Sequence, residues 1–240
     1  MKIAGITRVR NEEHIIQHTL DHVAQFVDGI FVFNDASEDN TAEICNTHPA
    51  VIEIVHNRRW DPTPQGRAAA EGVMRQTALN SAKQYGADWV YCFDADEFIE
   101  PFRLDFSADG YFFRLFDFYI TPADDNKDFT HRQWMGPEYR DIPMVFRITD
   151  NLYFTQRVPR GSGPNIQMGG YVRHYGKAIS AIHWEETCDY YINHRWKDRR
   201  PDLRKRWQQR KGKAVHGKSD FNRPLITWND RVNAEKIVQI

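Results

Sequence analysis

The sequence has little of what the common cofactor signatures need. After its first strand-like run there is no G-x-G-x-x-G and no P-loop. The residues there are Thr7-Arg8-Val9-Arg10-Asn11-Glu12-Glu13, which disfavours dinucleotide binding and P-loop phosphoryl transfer. Cysteine is scarce: Cys45, Cys92 and Cys188 are scattered without metal-ligand spacing, which fits a reducing compartment, and Cys45 and Cys92 read as packed thiols. Net charge is nearly absent, at -1, so no overall field demands nucleic acid or membrane. No apolar run is long enough for a signal peptide or a membrane span, and there is no internal repeat or low-complexity tract. A soluble protein is expected. With 240 residues and 41% hydrophobic content the chain can bury a full core, and one domain is the default.

What is present is an alternation of strand and helix signals. Ile3 to Thr7 is β-prone, and Ile15, Ile16, Leu20, Val23 and Val27 recur at helical spacing. Gly29 breaks that pattern, Ile30 to Phe33 reads as a strand, and NDASEDNT supplies turn residues and helix caps, with Asn40 and Glu43 spaced as a capping box. A short helix from Thr41 to about Asn46, a strand from Val51 to Val55, a helix carrying Met74, Ala78, Ala82 and Tyr85 up to Gly86, and a strand from Trp89 to Phe93 follow. The densest loop signals are Arg58 to Gly66, Thr121 to Pro143 and Pro159 to Gly170. Such alternation argues for a mostly parallel sheet with helices on both faces, whose ligands bind beyond the carboxyl ends of the strands.

Polar clusters fall at those ends: Arg8 to Glu12 after the first strand, Asn34 to Ser37 after the second, and Asp94-Ala95-Asp96-Glu97 after the fourth. Carboxylates this close repel one another, and burial raises the energy of each, so something positive should sit among them. Asp94 and Asp96 are hard oxygen donors suited to Mg²⁺ or Mn²⁺, ions often held by one or two carboxylates plus substrate phosphates. A diphosphate is the natural partner, since the ion would neutralise charge on its departure. Arg75, on the preceding helix, either adds a cation there or is an exposed helix arginine.

These residues resemble the family 2 glycosyltransferases of the GT-A fold, in particular the short bacterial type with a DxDEF motif. The likeness covers about the first hundred residues. It rests on the opening strand plus Asn11-Glu12-Glu13, on the second strand with DASEDNT (Asp35, Ser37, Asp39, Thr41), and on GADWVYCFDADEF from Gly86 to Phe98. The resemblance implies an α/β, GT-A-like three-layer fold with a C-terminal acceptor-side extension. Residues 1–100 would bind a nucleotide diphosphate sugar, and residues 101–240 would serve the acceptor. It places Arg8 and Arg10 at the base and ribose pocket, with Asn11, Glu12, Arg75 and Ala95 nearby. Asp35 would bond the base, Asp94 the ribose or metal, and Asp96 would be the main metal ligand. Many members carry an aromatic residue at the position of Arg10 and a second Asp at that of Asn34.

In the second half Tyr111 to Ile120 and Met144 to Phe154 are strand-prone, and Trp134, Tyr139, Tyr153 and Tyr171 either offer stacking faces to a sugar or belong to the core. The resemblance implies inversion, which needs a general base, in the family an acidic residue well downstream of the metal motif and often beside a Trp. Within HWEETCD, Glu186 and Glu185 are the first candidates and Asp189 the third, each equally suited to capping a helix. In several GT-A families a C-terminal His completes the metal shell, so the resemblance makes His216, flanked by Lys211, Lys213 and Lys218 on a mobile polar loop, the candidate ligand, with His174 its rival or either one structural. From Arg195 to Lys213 ten basic residues stand against Asp198 and Asp202, marking a solvated helix or a meeting with an anion. The leading expectation is a metal-dependent, inverting transferase taking a nucleotide diphosphate sugar to a glycan, lipid-linked or other hydroxyl acceptor, cytoplasmic, with peripheral contact at the inner membrane face conceivable and no nucleic acid expected. Alternatives are a nucleotidyltransferase acting on a sugar phosphate and a non-enzymatic anion-binding protein using the 195–213 segment.

Overall fold

The apolar runs at the start of the chain become neighbouring strands because each is bounded by turn residues, with Ile3–Val9, Gly29–Asn34 and Trp89–Phe93 buried and Val51–His56 left half-exposed beside Gly29–Asn34. The computed structural model describes residues 1–105, 107–124, 127–195 and 200–237. The chain begins β1 (Ile3–Val9), α1 (Ile16–Val23), β2 (Gly29–Asn34), α2 (Thr41–Thr47), β3 (Val51–His56) and α3 (Pro64–Ala69). A π-helical turn, Ala70–Met74, leads into α4 (Arg75–Gln84), and β4 (Trp89–Phe93) and β5 (Glu97–Ile99) follow. Then come β6 (Gly110–Phe118), β7 (Trp134–Arg147), β8 (Ile166–His174), α5 (Ala181–Tyr190), a second π-helical turn over Tyr191–Arg195, α6 (Pro201–Arg210), β9 (Ile226–Thr227) and β10 (Glu235–Lys236).

Two compact units divide the chain: Met1–Phe113 with Ile142–Tyr171, and Arg114–Asp141 with Val172–Ile240. In the first, β1 pairs in parallel with β2 and β4, and β2 with β3, giving the order β3-β2-β1-β4. Val145 to Arg147 run antiparallel along β4, so this stretch belongs with the N-terminal sheet rather than with a half beginning at residue 101.

Helices cover both faces of that sheet. Ala4, Ile6, Phe31, Val90 and Cys92 pack against Ala78, Leu79 and Ala82 of α4 in one cluster. Side chains alternate along a strand, so Gly5 faces the other way, where an added Cβ would lie 3.3 Å from the Val23 side chain of α1. The layered, mostly parallel α/β architecture is therefore as the sequence predicts. All three cysteines are free and buried.

Three local expectations are corrected. Asn40 does not form a capping box: its side chain donates to Glu13 (2.8 Å) and makes no cap bond on α2. Residues 134–143 are strand rather than loop, because buried Met135, Met144, Val145 and Phe146 tie this stretch into a sheet despite Pro137 and Pro143. Residues 148–154 lie beyond β7, while β8 begins inside the segment expected as loop up to Gly170.

In the second unit the first part of β7 pairs antiparallel with β9 and parallel with β10. Trp184, Cys188 and Ile192 form a small core with Trp207 and Ala214 against it. Among the described residues no helix is long and apolar enough to cross a membrane.

Candidate functional site

Parallel pairing brings the carboxyl ends of β1, β2 and β4 to one edge, where Val9 stands opposite Asn34 and Thr7 opposite Phe93. The loops leaving β1 and β2 are laced together. The Asn11 amide donates to the Ser37 hydroxyl (3.1 Å), and the Glu38 amide to the Asn11 side chain (2.9 Å). The Glu12 amide donates to Thr41 Oγ1 (2.7 Å), the Glu13 amide to Asp39 (3.1 Å), and the Asn40 amide to Glu13 (3.0 Å). The Asn-Glu-Glu and Asp-x-Ser-x-Asp-x-Thr motifs thus act as two halves of one clasp. Asn11 and Glu12, expected at the nucleotide, give their main-chain amides to this clasp, and Asn11 its side chain as well.

Within the clasp Asp35 is buried. Arg8 donates to its Oδ2 through Nη2 (2.6 Å) and Nε (3.2 Å), and Asn57 to its Oδ1 (2.8 Å). Arg10 donates to the main-chain carbonyls of Asp35 (3.1 Å) and Ala36, pairs with Glu38 (3.1 Å), and lies over the Trp60 ring at 4.1 Å. Ala36 holds φ at 52°, a left-handed conformation that costs a non-glycine residue about 1 kcal/mol or more and clusters at ligand sites. Arg8, Arg10 and Asp35 are therefore brought together as expected, with Asn57 and Trp60 added.

At the end of β4 the cations called for by three adjacent carboxylates are arginines. Arg75 is buried, donating to Asp94 Oδ1 (2.6 Å) and to Cys92 Sγ (3.0 Å). Arg157 binds Asp94 Oδ2 and forks onto both oxygens of buried Glu97 (2.7 Å each). Glu97 Oε2 also accepts from the Asp94 amide (3.0 Å). Burial, and then the like charge of Arg75, draw the Arg157 guanidinium down to about 10, leaving it protonated at neutral pH. Sequence reasoning placed Arg75 here as one of two options and missed Arg157; the only signal for it was the unmet demand for positive charge. Ala95 is buried, its carbonyl accepting from Thr19 of α1, which pins the turn between the two aspartates.

These residues bear on a divalent cation unequally. Both oxygens of Asp94 are engaged by guanidinium groups, and Asp96 beside it is half-buried. Among the described residues no group of three or more His, Cys, Asp or Glu is arranged to hold a metal. One carboxylate completed by substrate phosphates is nonetheless a usual way to bind Mg²⁺.

The remaining expected site residues lie in the second unit. Glu185 accepts from the Gly212 amide (2.8 Å), and Asp189 pairs with Lys211 (2.5 Å). Glu186 is exposed, 4.0 Å from His183. His174 bonds Asp117 (2.6 Å), a largely buried carboxylate that also holds Lys177 (2.8 Å) and Arg140 (2.9 Å). These cations overcome the effect of burial and keep Asp117 well below the usual carboxylate range. His216 packs edge-on against Tyr119 and Trp184, at 5.1 and 4.8 Å between ring centres, and its buried Nε2 has no hydrogen-bond partner among the described residues. Burial lowers its pKa to about 4, so the imidazole is neutral. Of the basic segment, Arg200 to Lys213 are described and include α6, while residues 196–199 lie outside the described residues. Tyr139 stacks beneath Arg114 at 4.7 Å, and in the first unit Tyr153 is exposed.

Residues 6–105 match the family model described as Glycosyl transferase family 2, the same stretch that carries the clasp and the carboxylate turn. An uncharacterized protein of Mycobacterium tuberculosis is 38% identical over 101 residues, covering 42% of this chain and 24% of its own length. A protein of Mycobacterium bovis matches with the same figures. The chain thus spans about a quarter of the curated relatives it matches. Among solved structures it is similar to mannosyl-3-phosphoglycerate synthase from Rubrobacter xylanophilus, with 22% identity and a TM-score of 0.31 over 52% of this chain and 42% of that one. It is also similar to glucosyl-3-phosphoglycerate synthase from Mycobacterium tuberculosis, solved with Mn²⁺, uridine diphosphate and glucosyl-3-phosphoglycerate, with 18% identity and a TM-score of 0.31 over 52% and 46%.

Proposed function

We propose that this chain, a family 2-like glycosyltransferase over residues 6–105, transfers a sugar from a nucleotide diphosphate sugar to an acceptor hydroxyl with the help of Mn²⁺ or Mg²⁺. The observation that carries the reading is the shared strand edge, where the clasp around Asp35 adjoins the β1 end and the Asp94 to Glu97 turn leaves the neighbouring strand.

Each residue has a part to play. Arg8 fixes Asp35, so that the pair presents a rigid polar edge to a base, while Trp60 and Arg10 give it a flat cationic face. Arg75 and Arg157 neutralise Asp94 and Glu97, which lets a third carboxylate, Asp96, sit beside them without prohibitive repulsion. Asp96 would hold the metal, which supplies charge neutralisation to the diphosphate as it leaves. In the second unit His216 is a neutral imidazole able to donate an electron pair to such an ion. Among the described residues Glu186 lacks the main-chain partner that Glu185 has, which makes it the preferred general base, and inversion at the anomeric carbon follows from a single displacement that it would assist.

The experiment is a thermal-shift panel of nucleoside diphosphates and their sugars with Mn²⁺, since a ligand of the native state raises the melting temperature. Asp96→Asn should abolish the Mn²⁺-dependent stabilisation while leaving the circular dichroism unchanged. Glu186→Gln should keep it and lose transfer. Metal-dependent nucleotide binding that survives intact in Asp96→Asn would remove the central claim.

A further inference from the structure

The second unit holds a pocket of about 390 Å³, within the range of small-ligand sites. Its wall includes Arg206, Arg210, Lys213, His216 and Asp220. Arg206 and Arg210 stand one helical turn apart on α6, a spacing at which like charges repel. The single carboxylate does not relieve this. Asp220 gives one oxygen to Arg210 (2.5 Å) and the other to Lys177 (2.8 Å), a buried ammonium that does not line the pocket. Among the described residues Arg206 reaches only the Asp220 main-chain carbonyl (3.3 Å), and Lys213 has no ion-pair partner. Three cations against one acid leave the lining with a charge of +2, and His216, held neutral, adds nothing to it. A phosphomonoester carries about -1.5 to -2 at neutral pH, and guanidinium forks match its oxygens.

We propose that this pocket binds a phosphate group carried by the acceptor. The inference deepens the glycosyltransferase reading and rests on it, since that reading already gives the donor's diphosphate a counter-charge in the metal. Arg206 and Arg210 grip the phosphate from α6, Lys213 closes its open side, and the repulsion along the helix is relieved on binding.

The test is calorimetric titration of the full chain, without metal, using inorganic phosphate, glycerol phosphate and uridine diphosphate at about 0.15 M salt, where weak surface attraction is screened. Lys213→Glu and Arg206→Glu should each weaken phosphate or glycerol phosphate binding by about tenfold or more, the scale of a lost charge-assisted contact. Lys127→Glu makes the same charge change outside the lining and should leave binding alone. If Arg206→Glu fails to fold, exposed Lys213 decides the matter. Simultaneous binding of glycerol phosphate and uridine diphosphate supports an acceptor site, and displacement of the one by the other overturns it. Absence of phosphate binding by the unaltered protein, or equal affinity in Lys213→Glu, overturns the proposal. Because the Asp96 experiment reads Mn²⁺-dependent nucleotide binding, either idea can fail while the other stands.

Discussion

Removing Arg157 tests the electrostatic logic of the β4 turn. The side chain is a quarter exposed, but its forked contact with Glu97 lies on a carboxylate only 2% exposed. Deleting one member of a buried pair typically costs about 3–5 kcal/mol, because the survivor is left charged and unsolvated. Here Glu97 keeps the Asp94 amide and Asp94 keeps Arg75, and the Asp94 side chain is about a third exposed. The expected cost of Arg157→Ala is therefore nearer about 2–3 kcal/mol, or roughly 4–12 °C in melting temperature for a chain of this size. The loss should depend on pH in a defined sense. With Arg157 gone, Glu97 binds a proton in the folded state at a pH where the unfolded chain has released it, so the variant loses stability as pH rises through that window. Thermal unfolding at several pH values between about 5 and 8 reads this directly. Adding Glu97→Gln to Arg157→Ala should recover at least half of the lost stability and flatten the pH dependence. A melting temperature unchanged in Arg157→Ala, or a double variant no better than the single one, would show that the arginine does not balance this carboxylate.

Two further outcomes are expected. His216 titrates at 6.5 when unfolded and at about 4 when folded, so the unfolded chain gains a proton first as pH falls. Stability should be full above about pH 6.5 and decline towards pH 4 by up to roughly 1.4 kcal/mol per unit, a slope that His216→Phe should remove. Asp35→Asn keeps the shape but strips Arg8 of its counter-charge. It should cost about 2 kcal/mol in urea unfolding and weaken nucleoside diphosphate binding by about tenfold. Nucleotide affinity equal to that of the unaltered protein would leave Asp35 with a purely structural part.

The first hundred residues were legible because their signals are local. Strand ends, caps and turns depend on neighbours in sequence, and β4 was read to its end residues, Trp89 and Phe93. Parallel alternation then placed the Arg8, Asp35 and Asp94 clusters on one edge without any long-range contact being known. What failed was nonlocal. Pro137 and Pro143 are turn signals by themselves, yet buried neighbours hold both inside β7. Asn40 and Glu43 have capping-box spacing, yet Glu13, 27 residues away, takes the Asn40 side chain. The placement of Arg157 is the clearest case. Its local sequence, Gln156-Arg157-Val158, reads as an ordinary surface loop, and its partners lie 60 and 63 residues earlier. The sequence nevertheless stated half of that contact, because three carboxylates closing a buried strand cannot all stay ionised without cations. Local chemistry specified the charge that must arrive at this turn, and only tertiary packing could specify which residue brings it.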